Sequence, residues 1–294
     1  MKAFEQLNAL GIRCEPNADG AKLTSFGSGG RVDLVAYPSE EQTHQTIEVL
    51  RECGVSFRVI GGGSNLLLPD EGYSGALIRL SRLSALSVRY GVITAGAGVK
   101  LPLLALKAAQ ESLSGLEFCC GIPAEVGGAV CTNAGAFGQA LSDTLVGVKL
   151  LTPNGVEDQT LQSGYHCSNL PQGCVVLAAT FALNKGQRDQ ILSKMRFMTE
   201  RRRLTQPRER SAGSVFRRVG QIPAAVYIEK TGLKGLRVGG AELSTKHCNF
   251  IVNKGGATTQ DYFAVAEHVK QRVLESCSVV LEYEVERLCS PKKV

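Results

Sequence analysis

The first hundred residues alternate short apolar runs with turn-forming clusters. RVDLVAY at 31–37 has the β-branched, apolar character of a strand, and EEQTHQTIEVLRECG at 40–54 places its apolar residues at helical spacing. FRVIGGGSNLLL, GALIRL and GVITAGAG again predict strands, punctuated by glycine. KLPLLALKAAQESL at 100–113 predicts a helix of strong helix formers that stops before the glycine-rich stretch GLEFCCGIPAEVGGAVCTNAGAFG. VGVKLLTPNGVEDQTL predicts a hairpin turning at Pro153-Asn154-Gly155, because asparagine and glycine tolerate the positive φ of a tight turn. VVLAATFAL at 175–183 predicts a further strand, and the charged segment from Gln187 to Leu204 a helix broken at Gln206-Pro207. The last third predicts a helix over IPAAVYIEKTGLKG, short strands in LRVGGAEL and NFIVN, a helix over TTQDYFAVAEHVKQRVLESC and a closing strand SVVLEYEVERL. This is an α+β pattern, and 294 residues exceed the size at which one hydrophobic core usually stops growing, so two or three domains are expected.

Composition narrows the class. Apolar residues make up 44% and charged residues 20%, as in an ordinary globular protein. The N-terminus lacks an apolar core of signal-peptide length, and no stretch approaches the roughly 18 apolar residues of a membrane helix. A cytoplasmic protein without membrane insertion is expected. The ten cysteines show neither CxxC nor Cys/His ligand spacing, so reduced structural thiols and no metal site are expected. The net charge of +6 is unevenly spread: Arg201, Arg202, Arg203, Arg208, Arg210, Arg217 and Arg218 cluster with Glu209 as the one acid between them. That run is either a solvated face or a site for phosphates or carboxylates; with no tryptophan and no nucleic-acid motif, nucleic acid is not the expected partner.

Four segments can carry chemistry. The turn Gly61-Gly62-Gly63-Ser64-Asn65 follows a predicted strand, and its glycines allow consecutive N–H groups to line a concave phosphate nest, or simply a tight connection. It matches neither GxGxxG nor the P-loop. The stretch Gly121-Ile122-Pro123-Ala124-Glu125-Val126-Gly127-Gly128, continuing to Ala134-Gly135, lets backbone approach a flat ligand, or lets a helix pack on a sheet. Two such stretches favour one elongated phosphate-bearing ligand gripped by both. Ser214, behind Gly213 and ahead of Arg217 and Arg218, is not in a hydrolase motif; it can relay a proton or cap a turn. Glu282, Glu284 and Glu286 alternate with apolar residues, giving a solvated acidic face or, in a cleft, one carboxyl of raised pKa.

In order, TSFGSGGRVD, VIGGGSNLL, GIPAEVGGAVCTNAGAFG, SAGSVF, GLKGLRVGGAEL, HCNFIVN and LEYEV resemble the successive signatures of the UDP-N-acetylenolpyruvoylglucosamine reductase family, in its shorter class, from about Thr24 to Val285. The resemblance implies an α+β FAD-binding fold of the vanillyl-alcohol-oxidase (PCMH) type in two subdomains, residues 1–80 (joined by 284–294) and 81–204, followed by a smaller substrate domain over 205–283. It implies that NADPH reduces FAD, that flavin N5 passes a hydride to the double bond of UDP-N-acetylglucosamine enolpyruvate, and that a monomer releases UDP-N-acetylmuramate for peptidoglycan synthesis. FAD would be held by Gly61, Gly62, Gly63, Ser64, Asn65, Gly121, Ile122, Pro123, Val126, Gly127, Gly128, Ala134 and Gly135. Ser214 would give the proton, Glu284 would stabilise the enol-like intermediate, and Arg217 and Arg218 would bind substrate.

The chain departs from the family pattern in four places, one of them Arg217, which stands where lysine is frequent. Tyr283 replaces the usual proline; His166, in Tyr165-His166-Cys167-Ser168, stands where an active-site arginine is usual; and Ala124-Glu125 replaces glycine and a small hydroxyl residue. Glu125, an odd neighbour for a diphosphate, would have to point away. A different flavin oxidoreductase of this fold and a non-catalytic UDP-sugar binder are the rival readings.

Overall fold

The computed structural model describes residues 2–160, 170 and 173–290. The chain divides into two compact units, one of residues 1–15, 35–62 and 77–202, the other of residues 16–34, 63–76 and 203–294. Strands Arg13–Asp19, Arg31–Tyr37, Tyr73–Arg79 and Phe57–Ile60 form a four-stranded sheet, in which the order is first, second, Tyr73–Arg79, then Phe57–Ile60.

The first unit is built on an antiparallel five-stranded sheet. Gly155–Thr160 pairs with Leu145–Thr152, which pairs with Val175–Ala182, then Val92–Gly96, then Leu86–Arg89. The hairpin turns where expected: Thr152 pairs with Gly155, whose φ of +119° requires glycine. Helix Leu101–Gln110 has its proline in the first turn and buries Leu101, Leu104, Ala105, Ala108 and Ala109, the spacing of one helical face. That face joins Ile93, Phe118, Val126, Val130, Leu150 and Phe181 in a single core. Helix Arg188–Thr205 buries only the stripe Ile191, Met195 and Met198, with Leu192 partly buried beside it, and most of its other positions are polar or charged.

The second unit centres on the helix Thr259–Cys277 and the antiparallel sheet Arg210–Ser214, Phe250–Asn253, Ala241–Leu243, Arg237–Val238. Tyr262, Val265, Ala266, Val269 and Val273 of the helix pack with Phe26, Phe216, Ile251 and Leu243. The helix start is capped twice. Thr258 and Asp261 exchange side-chain and backbone bonds, and Asp70 accepts from the N–H groups of Thr259 and Gln260, both at 2.8 Å.

Several expectations need correction. The helix expected over 222–235 is confined to Ala224–Glu229, because Pro223 precedes it and Gly232, at φ +67°, follows. The closing strand shrinks to Glu286–Arg287, paired in parallel with Leu66–Leu67. Its alternation persists all the same: Leu281, Val285 and Leu288 are buried and Glu282, Glu284 and Glu286 exposed. Helix Lys2–Ala9 and strands Arg13–Asp19, Leu86–Arg89 and Arg210–Ser214 carry too weak a periodic signal to be predicted. Among the described residues nine cysteines form no disulfide; burial pushes the Cys14 thiol up to about 11 and Cys248 up to about 12, which keeps both as inert thiols. No described helix is long and apolar enough to cross a membrane.

Asp70→Ala is expected to cost about 1–2 kcal/mol, as for loss of a helix cap, read in denaturant unfolding and as faster amide exchange in the first turn of Thr259–Cys277.

Candidate active site

The glycine turn opens where strand Phe57–Ile60 ends. Gly63 takes φ +68°, and a methyl group there would stand 2.0 Å from the Leu23 carbonyl oxygen, so no other residue fits. Its own carbonyl accepts the Ser25 N–H at 2.9 Å. Among the described residues the N–H groups of Gly62, Gly63 and Ser64 donate to no protein acceptor, as an anion nest requires.

The second glycine stretch faces the beginning of this turn. A methyl group on Gly61 would lie 3.9 Å from the Gly128 Cα, and one on Gly128 itself would meet nothing within 4 Å. Gly127 serves close packing instead: a methyl there would stand 2.9 Å from the Ala97 side chain, and its N–H donates to the Ala97 carbonyl at 2.9 Å. Val126 is buried in the core, so only its backbone can meet a ligand. Ile122 and Pro123 form the extended lead-in to helix Val126–Cys131. Ala134 is fixed by its N–H bond to Ala129 O at 2.8 Å, and Gly135 opens the small hairpin Gly135–Ala136 with Gln139–Ala140. The uncommitted N–H groups of Gly62, Gly63 and Ser64 and the open approach at Gly128 suit a diphosphate-bearing ligand, whereas the N–H groups of Ile122, Val126, Gly127 and Ala134 are already bonded within the protein.

Glu125 does not point away. A methyl on Gly62 would lie 3.7 Å from its carboxyl carbon, and Arg79 stands 3.7 Å from its Oε1. Burial raises the pKa of Glu125 against the opposing pull of Arg79 and Lys100.

Ser214 ends strand Arg210–Ser214 opposite Phe250, after a register shift in which Gly213 takes φ +77°. The chain then runs antiparallel to the LEYEV segment: the Arg217 N–H donates to Glu282 O at 2.9 Å and the Glu284 N–H to Val215 O at 2.8 Å. This brings Ser214, Arg217 and Glu284 together. The Glu284 side chain is solvent-accessible, yet enough protein surrounds its carboxyl that burial raises its pKa, with Arg217 pulling it down. A reachable carboxyl that holds its proton more tightly than usual suits a hydrogen-bond donor or acid.

Asn65 ties the turn to this group. Its Nδ2 donates to Glu284 O at 3.1 Å, and its carbonyl accepts the Glu286 N–H at 3.0 Å. Two supports were missed in the sequence. Ser25 joins its Oγ to Ser211 O at 2.6 Å, and Asn249, buried, clamps Phe216 by accepting its N–H at 3.0 Å and donating to its carbonyl at 2.9 Å. A polar residue at the head of the apolar run FIV was the available signal for Asn249. Tyr283 stacks on Phe216 with ring centroids 5.4 Å apart and donates its hydroxyl to Glu267 at 2.6 Å, which accounts for an aromatic residue there.

Three arginines of the run have different neighbours. Arg202 lies against Gly121, Arg210 against Gly27, and Arg218 donates to the carbonyl of Gln221. His166 lies outside the described residues.

Comparison with known proteins decides the family. Residues 206–288 match the model for the C-terminal domain of UDP-N-acetylenolpyruvoylglucosamine reductase, and residues 32–158 the model for an FAD binding domain. The chain is 40% identical to the UDP-N-acetylenolpyruvoylglucosamine reductase of Agathobacter rectalis, across 97% of its own length and 96% of the relative's. It belongs to the UDP-N-acetylenolpyruvoylglucosamine reductase family. The Streptococcus suis reductase is 39% identical over 99% of both chains. The crystal structure of the Thermus caldophilus reductase superposes with a TM-score of 0.80 at 34% identity, over 95% of this chain and all of that one. The expected α+β fold with an FAD-binding region and a C-terminal domain is thus observed, and the chain is a flavin-dependent oxidoreductase.

Gly63→Ala is expected to destabilise the chain by on the order of 2 kcal/mol or more, through positive φ and the clash with Leu23. Thermal unfolding measures it, with Gly54→Ala as the comparison, since Gly54 also has positive φ but nothing within 4 Å of an added methyl.

Proposed function

We propose that the chain reduces UDP-N-acetylglucosamine enolpyruvate to UDP-N-acetylmuramate in peptidoglycan precursor synthesis, with NADPH as electron source, acting as a cytoplasmic monomer. The observation that carries this reading is the meeting of Ser214, Arg217 and a raised-pKa Glu284 beside Asn65 of the glycine turn. Another flavin oxidoreductase would need the glycine turns but not this group.

The flavin-binding parts are residues 1–80 with 284–294, and 81–204; the substrate domain is 205–283. Gly61 to Asn65, with Gly121, Ile122, Pro123, Val126, Gly127, Gly128, Ala134 and Gly135, hold the cofactor through backbone groups. When bound, FAD would supply the hydride-transfer chemistry, with NADPH as the electron source and the enolpyruvyl carbon as the acceptor. Reduction leaves negative charge on the neighbouring carbon and its carboxylate. Protonated Glu284 donates a hydrogen bond to that enol-like charge. Ser214 delivers the proton to carbon, and Arg217 stabilises the alkoxide left behind and pairs with substrate carboxylate. Arg218 reaches substrate by exchanging its bond to Gln221 for one to an anion.

Two outcomes test this. Purified protein oxidises NADPH only when the enolpyruvyl UDP-sugar is present; oxidation indifferent to that sugar rejects the reading. Ser214→Ala is expected to retain flavin reduction by NADPH and to lose at least about a hundredfold in product formation.

The pH profile tests Glu284. A carboxyl whose pKa is raised keeps its proton to higher pH and gives it up as pH rises through that value, so turnover falls on the alkaline side. Glu284→Gln cannot ionise, and that alkaline limb is expected to vanish.

A further inference from the structure

Beside the first glycine turn the chain holds a carboxylate and a guanidinium that satisfy one another poorly. Arg79 and Glu125 approach no closer than 3.7 Å, too far for a hydrogen bond, and the Arg79 Nε is buried without a partner. The Glu125 residue is 8% exposed. A loosely joined, largely buried pair stabilises little, because desolvation offsets the attraction. It does leave Arg79 available to an anion that fits it better.

The backbone gives Glu125 little freedom to move off. The Leu101 N–H donates to Ala124 O and the Val126 N–H to Val99 O, both at 2.9 Å, and Glu125 bridges to Lys100. The acid is pinned on both sides. Its carboxyl carbon lies 3.7 Å from the place a methyl would take on Gly62, and its Oε2 lies 3.8 Å from the same place on Gly61. The acid therefore lies against Gly61 and Gly62 of the turn, where a side chain on either would meet it.

We propose that the Glu125 carboxylate competes with the flavin diphosphate for Arg79, so that this chain holds FAD more loosely than its glycine turns alone would allow. The proposal rests on the reading that Gly61 to Asn65 hold FAD. A diphosphate offers the guanidinium several charged oxygens and bidentate geometry that Glu125 does not achieve. When it takes Arg79, Glu125 is left beside it with Lys100 as the other cation acting on it, and must turn out or take up a proton. Either response weakens retention. Burial already raises the Glu125 pKa, so protonation is the easier response as pH falls.

The experiment measures FAD binding, not turnover. Apoprotein, freed of flavin, is titrated with FAD by fluorescence quenching at about pH 8 and about pH 5.5. Glu125→Gln keeps the side-chain shape without the charge and is expected to bind FAD about tenfold more tightly at the higher pH, the order of one close charge repulsion. The wild-type Kd is expected to fall towards the variant's at the lower pH. Equal or weaker binding by Glu125→Gln overturns the proposal, as does a wild-type Kd that is no tighter at the lower pH, a measurement that needs no variant. Apoprotein that binds no FAD in either form overturns the flavin reading of the glycine turn itself, and the proposal with it.

Discussion

The Leu23 carbonyl leaves no room for a side chain on Gly63. This single close approach of backbone to backbone orders much of the site within the second unit. With Gly63 in its left-handed conformation, its carbonyl meets the Ser25 N–H, and Ser25 then spans to Ser211 at the start of the serine motif. Two residues beyond Gly63, Asn65 secures the main chain at Glu284 and Glu286 from both its side chain and its carbonyl. The proposed phosphate nest and the proposed proton donor are therefore joined by hydrogen bonds of one or two steps, not by packing alone. Backbone bonds of this kind hold a reacting group within a fraction of an ångström, which apolar contacts do less well.

The two carboxyls of raised pKa in the site regions share a cause and differ in consequence. Desolvation raises the pKa of both Glu125 and Glu284, and in each an arginine pulls the other way. Glu284 is reachable by solvent, and its main chain is fixed by Val215 and Asn65, which suits the donor role proposed for it. Glu125 is almost closed off and lies against the glycines, where a negative charge opposes a diphosphate. In the proposed site the same physical effect makes one residue an asset and the other a cost to cofactor binding. The surrounding partners decide which.

Around Ser214 the supporting residues are ordinary ones in unusual company. Asn249 satisfies both backbone groups of Phe216, and Tyr283 covers the same Phe216 ring while its hydroxyl finds Glu267. Together they fix the segment Val215 to Arg217 against the LEYEV segment. A proline in place of Tyr283 would provide stiffness there, whereas the tyrosine provides a stacked ring and a hydrogen bond.

The sequence alone determined the elements whose signal is local. Leu101, Leu104, Ala105 and Ala108 announce a buried helical face, Asn154-Gly155 a hairpin, and the seven ordered motif blocks a family. It also marked Ser214, Glu284 and both glycine stretches, since glycine and a lone serine before arginines are chemically distinctive. The features it did not determine depend on partners distant in the chain. RSAGS becomes a strand only because Phe250–Asn253 offers it a ladder, and the closing strand shortens because the Val215 to Arg217 segment and Leu66–Leu67 take up its bonds in separate pieces. The role of Ser25, the clamp of Asn249 and the inward lie of Glu125 have the same origin. Hydrogen bonds and desolvation across tens or hundreds of residues are decided by which atoms meet in space, and only the tertiary structure brings them together.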